Sequence, residues 1–241
     1  MRVAEMNWKD IEVAARRDRR CCLPIGSVEQ HAQLSVCTDA ILAERISCEA
    51  AAPLDIPVLP VMPFGLAPYF TAYPGTISLR LTTLLAVIRD VISSLHDSGF
   101  THICVVSGHG GNAPVAALLH ELMAEAPELC LKYHEWWRAP RTAAAAAAIS
   151  ASASHANWFE NFPWTRLAHA AAPPGEKPAV DRPALAVSAP QAVRQLLGDG
   201  SYGGPWQQPD EVMLKIWETG VEETRQALQG PWASEFGSHE G

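Results

Sequence analysis

Acidic and histidine side chains stand just after two apolar segments of this chain. Glu29 and His31 follow the first of these segments, and Asp39 comes shortly after them. His109 lies in a glycine-rich turn directly after the second segment. Because the carboxyl ends of neighbouring parallel strands meet at one edge of a sheet, we expect these side chains to share a crevice there.

Together with Glu160, these side chains make a set of two imidazoles and three carboxylates. Such a set suits a pair of divalent ions of the zinc or manganese type, with one carboxylate bridging them. No spacing here equals a zinc-finger or His-Glu-x-x-His signature. Each residue taken alone is more often a helix cap or a satisfied polar group, and Thr38 or Asp39 is also suited to cap the helix that follows. The shared sheet-edge position of Glu29, His31 and His109 favours the metal site over these alternatives.

Composition indicates one globular domain over residues 1–241, since a chain with 48% hydrophobic residues can bury one large core. The formal charge of -8, without a block of basic residues, argues against a nucleic-acid or anionic membrane partner and favours a small molecule. We expect a cytoplasmic protein, because no signal-peptide core or apolar stretch of about 20 residues is present. The six cysteines show no Cys-x-x-Cys pairing and are expected to be reduced.

Strand and helix patterns alternate along the chain, which predicts an α/β fold with a mostly parallel sheet flanked by helices on both faces. A run of alanines at residues 143–148 predicts a connecting helix or a mobile segment, and the proline-rich residues 173–190 predict an exposed, irregular excursion. The predicted strands are residues 20–26, 57–62, 101–106 and 129–133, and the predicted helices are residues 8–17, 40–51, 82–95, 113–126 and 209–229.

Four short stretches occur in an order and spacing similar to those of the creatininase (creatinine amidohydrolase) family. They are Leu-Pro-Ile-Gly-Ser-Val-Glu-Gln-His at 23–31, Thr-Asp at 38–39, Pro-Gly-Thr-Ile-Ser-Leu at 74–79 and Gly-His-Gly-Gly-Asn at 108–112. The resemblance extends to about residue 160 and implies a three-layer α/β fold with a dinuclear metal site. It also implies hydrolysis of a non-peptide amide, often cyclic, commonly in a homohexamer.

The resemblance also implies roles for individual residues. The family's metal ligands correspond to Glu29, His31, Asp39 and His109, with Asp39 as the bridge between two zinc or manganese ions. Creatininase itself has a glutamate two residues after the last histidine, where this chain has Gly111.

A downstream stretch supplies the fifth ligand in relatives that carry the Gly-His-Gly-Gly-Asn form. Those relatives have His-Ala-Gly-Glu-x-Glu-Thr, and residues 155–161 are similar, with Glu160 on the last acid. Trp158 replaces the first acid and Asn161 the threonine, so the resemblance makes Glu160 the expected fifth ligand and allows a different substrate.

The expected mechanism uses a hydroxide held by two ions, which attacks the carbonyl carbon while one ion polarises the carbonyl oxygen. His155 is the candidate general acid for the leaving nitrogen, with Glu160 beside it in sequence, and the alternative is that His155 orients a carboxylate. The aromatic loop at residues 66–78 is either a surface connection or a substrate wall. Candidate substrate contacts are Tyr73, Ser78, Gly110, Gly111, Trp158 and Trp164.

Three functions follow from this reading. The favoured one is a metal-dependent amidohydrolase that acts on a small cyclic amide, such as a creatinine-like lactam, or on an N-acyl or formyl amide. A metal-dependent lyase or isomerase is the second, since the same ions can stabilise an enolate. The third is a non-catalytic protein that keeps the fold.

Overall fold

The computed structural model describes residues 1–232, and its centre is a parallel sheet of three strands in the order β1-β2-β3. These strands are β1 (Arg20–Ile25), β2 (His102–Ser107) and β3 (Cys130–Glu135). β1 and β2 are rich in buried apolar residues, as expected for strands that helices cover on both faces, whereas β3 also carries Lys132, His134 and Glu135. In their register, Leu23 pairs with Val105, which pairs in turn with Tyr133.

Residues 57–62 extend the sheet beyond β1 without forming a regular strand, which corrects the predicted fourth strand. Val58 and Met62 make isolated parallel bridges to Cys22 and Ile25. The prolines of this segment explain the interruption, because a proline has no N–H to donate to a ladder.

Helices connect the strands, as the alternating pattern predicts. They are α1 (Trp8–Arg17), α2 (Thr38–Ala51), α3 (Leu81–Asp97), α4 (Val115–Glu125), α5 (Pro140–Ile149), α6 (Arg182–Ala186), α7 (Pro190–Leu197) and α8 (Asp210–Gln229). A short antiparallel pair is formed by β4 (Glu176–Lys177) and β5 (Gly204–Pro205). Single 3-10 turns occur at Val3–Glu5, Ala52–Leu54, Pro68–Phe70, Gly110–Asn112, Trp136–Arg138 and Trp158–Glu160.

The two faces of the sheet bury different cores, because successive side chains of a strand point to opposite sides. Cys22 and Cys104 pack with residues of α2, α5 and α8. Leu23 and Val105 pack with residues of α1, α3 and α4. The fold is therefore a three-layer α/β sandwich, and the predicted fold class is confirmed.

The proline-rich residues 173–190 contain more structure than the sequence predicts. Asp181 caps α6 by accepting a hydrogen bond from the N–H of Ala184. Leu185 is buried in a small third core with Phe70 and Val193. The alanine run lies within α5, so the connecting helix is the alternative that the structure supports.

The start of α2 packs directly on the end of β2. A Cβ atom on Gly108 would lie 2.2 Å from the carbonyl oxygen of Asp39, so only glycine permits this approach. The contact places Asp39 at the carboxyl edge of the sheet. No helix within residues 1–232 combines the length and apolar character needed to cross a bilayer.

Candidate metal centre

The carboxyl edge of the sheet gathers the five side chains expected to bind metal. Glu29 and His31 lie in the loop after β1, and His109 lies two residues after β2. Asp39 comes from the first turn of α2, and Glu160 comes from the 3-10 turn Trp158–Glu160. The first four are buried and Glu160 is partly buried.

Asp39 lies between the two imidazoles and faces both. Its Oδ1 atom is 3.0 Å from His31 Nε2, and its Oδ2 atom is 3.0 Å from His109 Nδ1. On the outer side, Glu29 Oε1 is 3.3 Å from His109 Nδ1 and Glu160 Oε2 is 3.6 Å from His31 Nε2.

Three groups of three ligand atoms lie close together, and two of them share the Asp39 carboxylate. Of these two groups, one contains Glu29 and His109, and the other contains His31 and Glu160. Within each group the ligand atoms lie within 4.8 Å of one another. The arrangement has the form of two adjacent cation sites joined by a bridging carboxylate.

The alternative that Thr38 or Asp39 caps α2 is not observed. The N-cap position is Cys37, which makes no side-chain capping hydrogen bond. Thr38 donates its hydroxyl to the carbonyl of Ser35, and the Asp39 carboxylate turns toward the histidines. Asp39 is therefore free to act at the site.

Backbone carbonyls fix which nitrogen of each imidazole carries a proton. His31 Nδ1 is 3.1 Å from the carbonyl oxygen of Glu29, and His109 Nε2 is 3.0 Å from that of Leu66. Because a carbonyl only accepts hydrogen bonds, both nitrogens must donate. The other nitrogen of each ring therefore directs its lone pair at carboxylate oxygens, an arrangement that a cation or a second proton must neutralise.

Three buried atoms at the cluster have no hydrogen-bond partner among the described residues: Glu29 Oε2, His31 Nε2 and Asp39 Oδ2. Buried polar atoms are nearly always satisfied, so such a concentration of exceptions calls for an explanation. A divalent cation bound to imidazole and carboxylate ligands provides one, and carbonyl-anchored imidazoles are typical of metal sites.

Electrostatic coupling within the cluster is strong. Burial lowers the pKa of His31, but the carboxylates of Asp39 and Glu160 outweigh this effect and raise it to about 10. Burial likewise lowers the pKa of His109, and Glu29 and Asp39 raise it well above its usual value. Burial raises the pKa of Glu29 and raises that of Glu160 to about 7. Burial also opposes ionisation of Asp39, yet the two histidines lower its pKa.

His155 lies beside the cluster. Its Nδ1 atom is 3.6 Å from Glu29 Oε1 and 4.0 Å from Glu160 Oε2. The ring stacks on Phe70, with centroids 4.6 Å apart and planes 14° from parallel. Burial and the neighbouring His31 lower its pKa well below the usual value. Both roles suggested by the sequence, general acid and partner of a carboxylate, are compatible with this position.

A cavity of about 700 Å³ opens onto the cluster. Gly110 and Gly111, which are candidate substrate contacts from the sequence, line this cavity. Tyr69 and Phe70 also line it, so the wall alternative for the aromatic loop at residues 66–78 is the one that the structure supports.

Four predicted substrate contacts lie away from the cavity wall. Tyr73 packs on Phe70 in the third core. Ser78 accepts a hydrogen bond from the N–H of Ala67 and donates to the carbonyl of Leu79. Trp158 is fully buried in the core under α2 and α8, and Trp164 stacks on Phe162 and on the guanidinium of Arg45. Their aromatic and hydroxyl groups serve packing and loop structure, and a substrate contact at these four residues stays a prediction.

Several residues that line the cavity were not predicted from the sequence. Trp137 and Arg138 lie in the 3-10 turn that follows β3, and the same rule about strand ends would have identified them. No sequence signal points to three others, because they come from distant segments that fold over the site: Arg182, Leu185 and Tyr202.

The geometry agrees with a comparison against protein-family models. The model described as "Creatininase: Creatinine amidohydrolase" matches residues 4–228. The chain belongs to the creatininase family. The resemblance noted in the sequence is thereby confirmed.

Solved creatininase structures share the fold. A structure described as creatinine amidohydrolase (creatininase) has a TM-score of 0.76 at 20% identity and covers 98% of each chain. A putative creatinine amidohydrolase from Bacteroides fragilis NCTC 9343 has a TM-score of 0.69 at 22% identity, covering 95% of this chain and 93% of that one. A comparison with curated proteins gives no match.

This creatininase-family chain has a structural reason for the glycine at position 111. A Cβ atom there would lie 2.1 Å from the carbonyl oxygen of Leu66 and 2.4 Å from His109 Nε2. Any larger residue would therefore displace the carbonyl group that anchors His109. The glutamate that creatininase itself has at this point cannot be accommodated without moving that loop.

Proposed function

We propose that this chain is a metal-dependent hydrolase that cleaves the C–N bond of a small amide. The observation that carries the proposal is the convergence of two imidazole lone pairs and three carboxylates around Asp39 at the end of a cavity. Solved creatininases support the choice of metal, since two are described as Zn-Zn and Mn forms. Another is described as a complex with creatine, which supports a small polar substrate.

The residues present fit two divalent cations. Glu29 and His109 would hold one, His31 and Glu160 the other, and Asp39 would bridge them. Divalent ions at such clusters supply Lewis acidity, which polarises a carbonyl group and acidifies water at neutral pH. The carbonyl groups of Glu29 and Leu66 keep each imidazole lone pair aimed at its site.

The protein also has to position the amide and supply protons. Hydrolysis adds a hydroxyl group to the carbonyl carbon and one proton to the leaving nitrogen as the C–N bond breaks. Gly110 and Gly111 line the cavity beside His109 and leave its wall open to a flat amide. His155 faces the same region, either as the proton donor or as a hydrogen-bond partner.

The cavity wall indicates which amides belong in a substrate screen. A volume of about 700 Å³ lies within the range of small-molecule sites. Its aromatic lining favours planar or cyclic compounds. Arg182 lies over the ring of Tyr202 at 4.9 Å and forms no ion pair with any residue that the structure describes, so acidic amides belong in the screen beside neutral ones.

The direct test is an activity screen of protein loaded with zinc or manganese. Lactams, cyclic ureas and formamides, with and without a carboxylate group, would be followed by mass spectrometry for addition of water. We expect hydrolysis in at least one class, lost after chelation and in Asp39→Asn. The absence of hydrolysis in every class by fully loaded protein would contradict the proposal. A product formed without uptake of water would instead favour a lyase or isomerase.

A further inference from the structure

Gln30 stands between two of the proposed ligands, and backbone groups fix the orientation of its amide. Its Oε1 atom accepts from the N–H of Ala32 at 3.2 Å, and its Nε2 atom donates to the carbonyl of Gly200 at 3.0 Å. An N–H can only donate and a carbonyl can only accept. Turning the amide over would break both contacts, so only one orientation satisfies them.

This orientation determines the protonation pattern of the neighbouring imidazole. His155 Nε2 lies 2.8 Å from Gln30 Nε2. Since an amide nitrogen has protons to donate and cannot accept, His155 Nε2 must be the acceptor and carries no proton. A ring with one bare nitrogen is neutral, so its proton is on Nδ1, which faces Glu29 and Glu160.

We infer that Gln30 is a positioning residue that holds His155 as a neutral hydrogen-bond donor, with its proton on Nδ1 and directed at the reacting centre. The catalytic meaning of this inference rests on the proposed hydrolase function, but the tautomer does not. His155 then contrasts with His31 and His109, whose bare nitrogens face the cluster.

The tautomer has two chemical consequences. A third group of possible ligands, Glu29, His31 and His155, exists by distance alone. A protonated Nδ1 has no lone pair for a cation, which excludes His155 from that group and leaves the two groups that share Asp39. A neutral imidazole is also too weak an acid to give up its only proton, so His155 stabilises developing negative charge by hydrogen bonding. The proton for the leaving nitrogen then comes from the attacking water.

The tautomer can be measured without any turnover. Long-range proton–nitrogen correlation spectra of 15N-labelled protein distinguish a bare imidazole nitrogen from a protonated one, and His155→Phe would identify the signals of His155. In the wild type, with and without zinc, we expect protonated Nδ1 and bare Nε2. Protonation of Nε2 in the wild type would overturn the inference.

Variants of Gln30 test whether this side chain is the cause. Gln30→Glu offers only acceptors, so the proton should move to Nε2, and Gln30→Met offers neither donor nor acceptor and should leave both tautomers populated. Retention of the Nδ1 tautomer in both variants would overturn the role of Gln30. Gln195→Glu, which makes the same change at an exposed position of α7, is the control and should leave the His155 signals unchanged.

Rescue at position 155 separates hydrogen bonding from acid catalysis. His155→Gln keeps an N–H donor but cannot act as a general acid, so we expect activity within about tenfold of wild type, whereas His155→Leu should lose about 100-fold to 1000-fold. Equal, large losses in kcat for both variants would show a general acid and contradict the inference. If no amide is hydrolysed by the wild type, the proposed function fails, and the spectra still decide the tautomer.

Discussion

Two buried acidic regions of this protein differ in how their oxygens are satisfied. Glu223 of α8 is buried, and it accepts hydrogen bonds from the N–H of Arg141 at 2.9 Å and from the N–H and hydroxyl of Thr142, each at 2.7 Å. Glu29 and Asp39 are buried more deeply, yet each has an oxygen without a hydrogen-bond partner among residues 1–232. A buried carboxylate therefore has both oxygens hydrogen-bonded in one region and an oxygen without a partner in the other.

This difference in hydrogen bonding distinguishes a structural carboxylate from one that is available to bind a ligand. Glu223 satisfies backbone donors in the first turn of α5 that have no intrahelical partner. Burial raises its pKa, but these hydrogen bonds outweigh burial and lower it. At Glu29, burial dominates and the pKa is raised. Deep burial combined with an oxygen that lacks a hydrogen-bond partner marks the site.

The largest effect is expected from Asp39→Asn. An amide cannot bridge two cations, so metal affinity should fall by more than about 100-fold, the upper cost of losing only an outer partner of a metal ligand. Hydrolytic activity should fall with it. Titration of the metal-free protein with zinc would measure the loss, and Glu223→Gln, which removes a buried charge elsewhere, should bind zinc as the wild type does. Equal zinc binding by wild type and Asp39→Asn would contradict the bridging role.

Metal binding should also depend steeply on pH. In metal-free protein the raised pKa of His31, about 10, and that of His109 favour a second proton on each ring at neutral pH, and a cation must displace these protons to reach the lone pairs. Affinity should therefore rise with pH, by about tenfold per unit for each proton released. Calorimetry in buffers of different ionisation enthalpy would count the protons. Metal binding without release of protons would show that His31 and His109 do not bind the cation.

Glu223→Gln should lower stability without affecting the site. The amide leaves at least one donor of Arg141 or Thr142 without an acceptor, which costs about 1–3 kcal/mol. Denaturant unfolding would show this loss in metal-free and metal-loaded protein alike. A loss of stability in only the metal-free or only the metal-loaded protein would show that Glu223 is coupled to the metal site, which would contradict this prediction.

A smaller effect is expected at His134, near Glu223. Its Nε2 donates to the hydroxyl of Thr224, which itself donates to the carbonyl of Gly220. Burial lowers the pKa of His134 to about 4, below the unfolded value of about 6.5. Neutral, buried His134 contributes fully to the free energy of unfolding at a pH above the pKa of the unfolded state. This contribution is lost as the pH falls toward the pKa of the folded state, by about 1.4 kcal/mol per pH unit. Unfolding of His134→Gln should be less sensitive to acid over this range, and identical slopes would contradict the assignment.

The candidate ligands could be predicted because strand ends and glycine-rich turns leave local signals. Glu29, His31 and His109 follow strands that apolar runs predict. Features that depend on packing between distant segments could not be predicted. Nothing in the sequence near Glu223 shows that it will meet the start of α5, and the aromatic character of Trp158 suits a cavity wall as well as a core. Hydrogen bonds that span the chain, such as that from Gln30 to Gly200, are visible only in the structure. The homohexamer implied by the resemblance stays a prediction.

The most direct test of the central claim is the metal content of purified protein after incubation with zinc or manganese and removal of the excess. Elemental analysis should find two divalent ions per chain in the wild type and fewer in His109→Ala, because His109 offers its Nδ1 lone pair beside Glu29 and Asp39. No stoichiometric metal in the wild type, or a content unchanged in the variant, would contradict the account.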